Sequence, residues 1–177
     1  ESEENLNKIP VLRREDISRE IQPIFNEEME ISKVPAVFHE IETNGIGYVS
    51  VMFDLSGVPA EDLPYVGILQ SVLGIIDTKN YEYGELFNEI NVHTGGIGSS
   101  IEVYNDAFKA TFELKGKALY PKLSKTFEMM GEILTESRLS DTKRIKEILD
   151  MVKSRLLMKF QSSGHTTAPL RALSYTS

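Results

Sequence analysis

The chain has no cysteine, no tryptophan and only three histidines in 177 residues. Without cysteine, disulfides and thiolate metal centres are excluded, and a reducing compartment, the cytoplasm, is the expectation. No apolar run approaches the roughly 20 residues of a bilayer-spanning helix, and no signal pattern follows Glu1. A membrane is therefore not an expected partner. Positive charge is scarce as well, with 19 Lys and Arg against 27 Asp and Glu, a net charge of −8 that makes nucleic acid a poor partner. The imbalance is concentrated in residues 1–42, which carry eleven acidic and five basic side chains. From Arg138 onward the sign reverses, eight basic against three acidic, and this reads as the solvated face of an amphipathic helix. What remains is ordinary: 41 % apolar and 26 % charged residues describe a globular domain, long enough to bury roughly 70 % of its unfolded surface.

Pro10, Pro23 and Pro35 punctuate a start that has no long apolar period, so residues 1–35 read as an approach segment with short extended pieces, and residues 36–177 as one domain. Val37–Glu42, the pair Asn44-Gly45 and Tyr48–Leu55 read as a β-hairpin, because Asn and Gly tolerate positive φ. In its second strand Val49, Val51, Phe53 and Leu55 alternate onto a core face. Pro59 and Asp62 open a helix with Leu63, Val66, Leu69, Val72, Leu73 and Ile76 at helical spacing. A second helix spans about Tyr81–Val92, with Leu86, Phe87 and Ile90 inward, and Gly95-Gly96 ends it. Ile97, Ser99, Ile101 and Val103 alternate along a strand that turns at Asn105-Asp106 into Phe108, Ala110, Phe112 and Leu114, leaving Lys109, Thr111 and Glu113 outside. Two helical stripes follow, Leu119, Leu123, Phe127, Met130 and Leu134, then Ile145, Ile148, Leu149, Val152, Leu156 and Phe160 behind a Ser140 cap. Ser162-Ser163-Gly164 breaks the chain before a short helix near Ala168–Ser174. The plan is α+β, an antiparallel sheet with helices packed on one face.

Chemistry-bearing patterns are few. His39, His93 and His165 stand too far apart in sequence for a helix-borne metal pair. Gly95-Gly96-Ile97-Gly98-Ser99-Ser100 follows a helix and precedes a strand, the reverse of a phosphate loop, and lacks its Lys-Ser/Thr pair. The serines beside His165 lack a Gly-x-Ser-x-Gly setting and an acidic partner close in sequence. Tyr48, Tyr65, Tyr81, Tyr83 and Phe87 read as packing aromatics.

Several phrases, in order, carry a family resemblance: Ile9-Pro10-Val11-Leu12 with Asp16-Ile17, Thr43-Asn44-Gly45-Ile46, Leu63-Pro64-Tyr65-Val66, Ser71-Val72-Leu73, Thr94-Gly95-Gly96-Ile97 and Ser163-Gly164-His165. Together they resemble one repeat of the pitrilysin/insulinase-type zinc metallopeptidases, in the presequence-protease branch. The resemblance implies a LuxS/MPP-like α+β repeat in a parent whose hinged halves enclose a peptide chamber, with this chain as the third repeat and residues 1–35 as the end of the inter-half linker. In the family's active repeat His-x-x-Glu-His holds zinc and polarises a bound water. Aligned on Ser71-Val72-Leu73, those positions are Val66, Leu69 and Gln70, none of which can act so. Glu147 and Asp150 stand at a distance that suits the family's third ligand, but without two histidines they are surface charges. The family's substrate-binding arginine and tyrosine belong to a repeat not represented here, and Arg171 and Tyr175 do not take those roles.

The resemblance therefore implies a non-catalytic repeat, without zinc of its own in a zinc-dependent parent, that builds chamber wall and supports its neighbour. Its implied partners are the other repeats and the parent's peptide substrate, and an organelle matrix becomes a second location. Ile97, Ser99, Ile101 and Val103 lie on the strand that would pair edge-on with a peptide or a neighbouring repeat. An apolar face meant for a neighbour implies self-association of the chain alone. A free-standing, non-enzymatic binding or scaffold domain of the same fold is the other class these residues allow, and an enzyme with a site of scattered Asp, Glu and His is a third.

Overall fold

A computed structural model describes residues 8, 10–20, 23, 25–104 and 109–175, in two compact units, Glu1–Glu42 and Thr43–Ser177. The expected turn at Asn105-Asp106 and the strand residue Phe108 lie outside the described residues.

The first unit holds a short 3-10 turn, Arg14–Asp16, and an antiparallel hairpin of β1 (Asn26–Ile31) and β2 (Val34–His39). Ser32 and Lys33 form its tip, both with positive φ (51° and 69°), the backbone that a two-residue turn needs to match strand twist. Register places Glu27, Met29 and Ile31 opposite Phe38, Ala36 and Val34, so one face of the ribbon is largely apolar. At its open end His39 Nδ1 lies 2.6 Å from Asn26 Oδ1.

The partner of Val37–His39 is a correction to the sequence reading. Asn44 and Gly45 do adopt positive φ (53° and 81°), but they lead into β3 (Ile46–Asp54), which pairs with β5 (Lys109–Leu119), while β2 pairs with β1. The Asn44-Gly45 turn is tied to the far end of β5, where Tyr120 N donates to Gly45 O at 2.9 Å. Positive-φ residues report a sharp change of direction, not which strand answers it.

In the second unit β5 is central, flanked by β3 and by β4 (Ile97–Tyr104), all antiparallel. Among the described residues five α-helices follow in chain order: α1 (Leu63–Val72), α2 (Tyr83–His93), α3 (Leu123–Thr135), α4 (Thr142–Ser162) and α5 (Gly164–Leu173). The architecture is α+β, with α2 and α3 on one sheet face: Leu86 and Ile90 meet Met129, Met130 and Ile133 over Leu114, with Val49 and Val51 alongside. A second cluster joins α1 to α4 through Val72, Ile76 and Ile148.

Several details depart from the periodic reading. Phe87 is 59 % exposed although its neighbour Leu86 is fully buried, since one helix turn cannot aim both at one layer. The buried face of α3 is Thr126, Met129, Met130 and Ile133, so Phe127 and Leu119 are exposed and Leu123 and Leu134 half-buried. Thr126 faces the core because its methyl fills the space over Gly116, where a Cβ would stand 2.9 Å from Thr126 Cγ2 and 3.0 Å from Met130 Sδ. The cap of α4 is Asp141, whose Oδ1 accepts from Arg144 N at 2.9 Å, one residue beyond Ser140. Leu156 and Phe160 are exposed, because α4 outruns the core after Val152. The last helix starts at Gly164 and carries Pro169 inside it.

Gly116 is the tightest test of this packing. Gly116→Ala is expected to lower stability by about 1–3 kcal/mol through overpacking, read by denaturant unfolding; an unchanged midpoint would show that the sheet and α3 are not in close contact there.

Candidate functional site

The site begins with α1, whose sequence Leu63-Pro64-Tyr65-Val66-Gly67-Ile68-Leu69-Gln70-Ser71-Val72 contains no ionisable group except the exposed Tyr65. Pro64 sits in the first turn, where its missing N–H costs nothing. Val66, Leu69 and Gln70 are half-buried. Gln70 Nε2 donates to the Ser99 carbonyl of β4 at 3.2 Å, and Ser99 Oγ donates back to the Gln70 carbonyl at 2.9 Å. Helix and strand are thus clamped at one point by two reciprocal hydrogen bonds.

β4 is an edge of its three-stranded sheet. Lys117 N donates to Gly96 O, and antiparallel alternation then turns the backbone groups of Ile97, Ser99, Ile101 and Val103 away from β5. These are the four residues singled out from the sequence, and the structure treats them differently. Ile97 packs on the core, the Ser99 carbonyl is taken by Gln70, and Ile101 (39 %) and Val103 (66 %) are exposed. Thr94 Oγ1 accepts from Gly96 N at 2.9 Å and Gly96 takes φ +120°, which ends α2 and aims the chain into β4.

The donor chemistry of Val66, Leu69 and Gln70 does not fit zinc: two hydrocarbons and a carboxamide committed to Ser99 supply neither ligand nor base. Among the described residues no group of three or more His, Asp or Glu side chains could hold a metal. His93 lies 3.5 Å from Glu89 at the end of α2, and His165 is in the first turn of α5.

On the sheet face opposite α2 and α3 lies a cluster the sequence reading missed. Glu113, expected outside, is 1 % exposed, and Thr111 is also buried. Glu113 Oε1 accepts from Tyr104 Oη (2.7 Å) and Thr111 Oγ1 (2.8 Å), while Oε2 meets Lys115 Nζ at 2.9 Å. Lys115 also reaches Glu102 at 3.1 Å. Burial pushes the Glu113 carboxyl up, but the hydrogen bonds from Tyr104, Lys115 and Thr111 outweigh it and hold the carboxyl below its ordinary value of 4.5. The same bonds, that from Glu113 first, raise Lys115 and Tyr104. Strand alternation predicts a wet face; the available signal was Glu113 between Thr111 and Lys115 on a strand with neighbours on both sides.

A family model for the domain associated with peptidases of metallopeptidase family 16, subfamily C, matches residues 1–177. The chain belongs to that family, in its presequence-protease-like branch. Protein HypA of Clostridium perfringens is 37 % identical over 99 % of this chain and 19 % of its own length. The mitochondrial presequence protease of Yarrowia lipolytica is 28 % identical over 98 % of this chain and 18 % of its own. Presequence protease 1, chloroplastic/mitochondrial, of Arabidopsis thaliana is 28 % identical over 95 % and 16 %. This peptidase-associated chain thus spans less than a fifth of the length of these curated relatives. Among the described residues no helix is long and apolar enough to cross a membrane.

Because the Glu113 carboxyl is lowered in the folded chain, its contribution is fully present above its unfolded value and is lost as pH falls through the folded one. Glu113→Ala is expected to cost about 1–3 kcal/mol at neutral pH by leaving Tyr104 and Thr111 without their acceptor, and to lose less further stability than the parent below pH 4.5. Parallel acid limbs in the two unfolding series would show that Glu113 does not carry this term.

Proposed function

We propose that this chain is the third, non-catalytic repeat of a zinc-dependent, presequence-protease-like metallopeptidase, which builds part of the wall of a peptide chamber and supports the neighbouring repeat. Residues 1–35 serve as the end of the linker between the halves. The observation that carries the reading is the chemistry at the positions aligned with the family's zinc motif: Val66 and Leu69 are half-buried hydrocarbons, and Gln70 is spent on a bond to Ser99. Zinc belongs to another repeat of the parent. A reducing compartment, cytoplasm or organelle matrix, suits a chain with no cysteine.

Ile101 and Val103 are exposed and their backbone groups point away from β5, which suits the distal half of β4 to edge pairing, with a neighbouring repeat or with a peptide of the parent's substrate pool. The end of α4 and α5 carry apolar side chains more than half exposed, Leu157, Met158, Phe160, Leu170 and Leu173, which a neighbouring repeat would cover.

Both parts are tested by comparing the chain with the full-length polypeptide. The chain leaves a fluorogenic peptide intact and sediments above its monomer mass, whereas the full-length protein cleaves the peptide in a chelator-sensitive way. Chelator-sensitive cleavage by the chain itself overturns the silent repeat, and a monodisperse monomer at high concentration contradicts the uncovered face.

A further inference from the structure

We propose that the groove between α2 and α4 binds an acidic peptide segment in which carboxylates alternate with apolar side chains, supplied by a partner polypeptide. The groove, about 290 Å³, is lined by Ile75, Tyr83, Phe87, Arg144, Met151 and Arg155, with two glycines completing its floor. That volume admits a few side chains and no more. Two guanidiniums line it and no carboxylate does, in a chain whose net charge is −8. The helix beneath them, α4, carries six basic residues against two acidic ones.

Arg144 is fixed in advance. Its guanidinium carbon stands 4.0 Å from the centre of the Tyr83 ring, its Nη2 donates to Ile75 O at 3.2 Å, and Glu147 pairs with its Nη1 at 3.3 Å. Arg144 Nε is buried with no acceptor among the described residues. Arg155 is different: the acceptor seen for it is the thioether of Met151, Nη2 to Sδ 3.4 Å, a weak bond that a carboxylate would displace. Beside it Phe87 (59 % exposed), Tyr83 (47 %) and Met151 (37 %) leave apolar wall uncovered.

A guanidinium so weakly held, next to uncovered aromatic and thioether surface, is the pairing that recognises a carboxylate adjoining an apolar side chain. The carboxylate forks onto Arg155 while its neighbour covers Phe87 and Met151. A basic peptide meets the same apolar wall but the like charge of Arg155, Arg144 being already matched by Glu147, so sign separates the two ligands. The site is distinct from β4 and from the Val66, Leu69 and Gln70 positions, and does not depend on the role proposed for them.

The test uses the full chain and a fluorescein-labelled dodecapeptide alternating Asp or Glu with Leu or Phe, beside a counterpart with Lys at every acidic position, read by fluorescence anisotropy. The acidic peptide is expected to bind saturably and more weakly at high salt. Arg155→Ala and Phe87→Ser should each weaken it about tenfold while Lys153→Ala stays within about twofold. All three side chains are exposed, so the variants keep the fold, which circular dichroism checks. Equal binding of the basic peptide, no saturable binding, or no loss in either groove variant overturns the proposal. If both peptides fail while Arg155→Ala dissolves a dimer seen in sedimentation, the occupant is a second copy and the peptide assignment is wrong.

Discussion

The second unit is organised around a single strand with no free edge, buried on its helix side and holding a buried carboxylate among exposed lysines on the other. β5 pairs with β3 and β4, presents Phe112, Leu114 and Ala118 to the helix layer, and carries Glu113 buried on the other side. A carboxylate as buried as Glu113 is tolerated only if each oxygen is occupied, and Tyr104, Thr111 and Lys115 do this from β4 and β5. Gly116 completes the constraint, since only a residue without Cβ lets α3 settle so close to the sheet. The helix layer, the edge at β4 and the clamp to α1 all inherit their positions from this strand.

From that scaffold follows what α1 can do. A helix beside the edge strand is where side chains reach both the strand and anything lying along it. Here the reachable positions are filled by Val66, Leu69 and a Gln70 that satisfies the backbone of Ser99. None of these side chains carries the chemistry of a metal site.

Much of this was legible in the sequence because periodicity reports burial directly. The helix cores at Leu86, Ile90 and Met130, the break at Ser162-Ser163-Gly164 and the edge strand from Ile97 all follow from spacing and turn chemistry. The misreadings have separate physical origins. Asn44-Gly45 specifies a turn but not its strand partner, and the true hairpin tip, Ser32-Lys33, reaches positive φ with residues that rarely announce it. On α3 a threonine lies inside and Phe127 outside, because the fit over Gly116 outweighs side-chain size. Glu113 is invisible to alternation, since its burial depends on neighbours from two other parts of the chain. The alignment of Val66, Leu69 and Gln70 with a zinc motif rests on family resemblance alone, and the clamp between Gln70 and Ser99 has no signal in the sequence.

The proposed silent repeat requires that this chain hold no zinc of its own, at α1 or at its histidines. The most direct measurement is zinc stoichiometry by mass spectrometry after incubation with zinc and exhaustive dialysis. A metal-silent repeat retains no stoichiometric zinc, and Gln70→Ala leaves that unchanged. One tightly held equivalent, lost on substituting His39, His93 or His165, would contradict it and locate a metal site the present geometry does not contain.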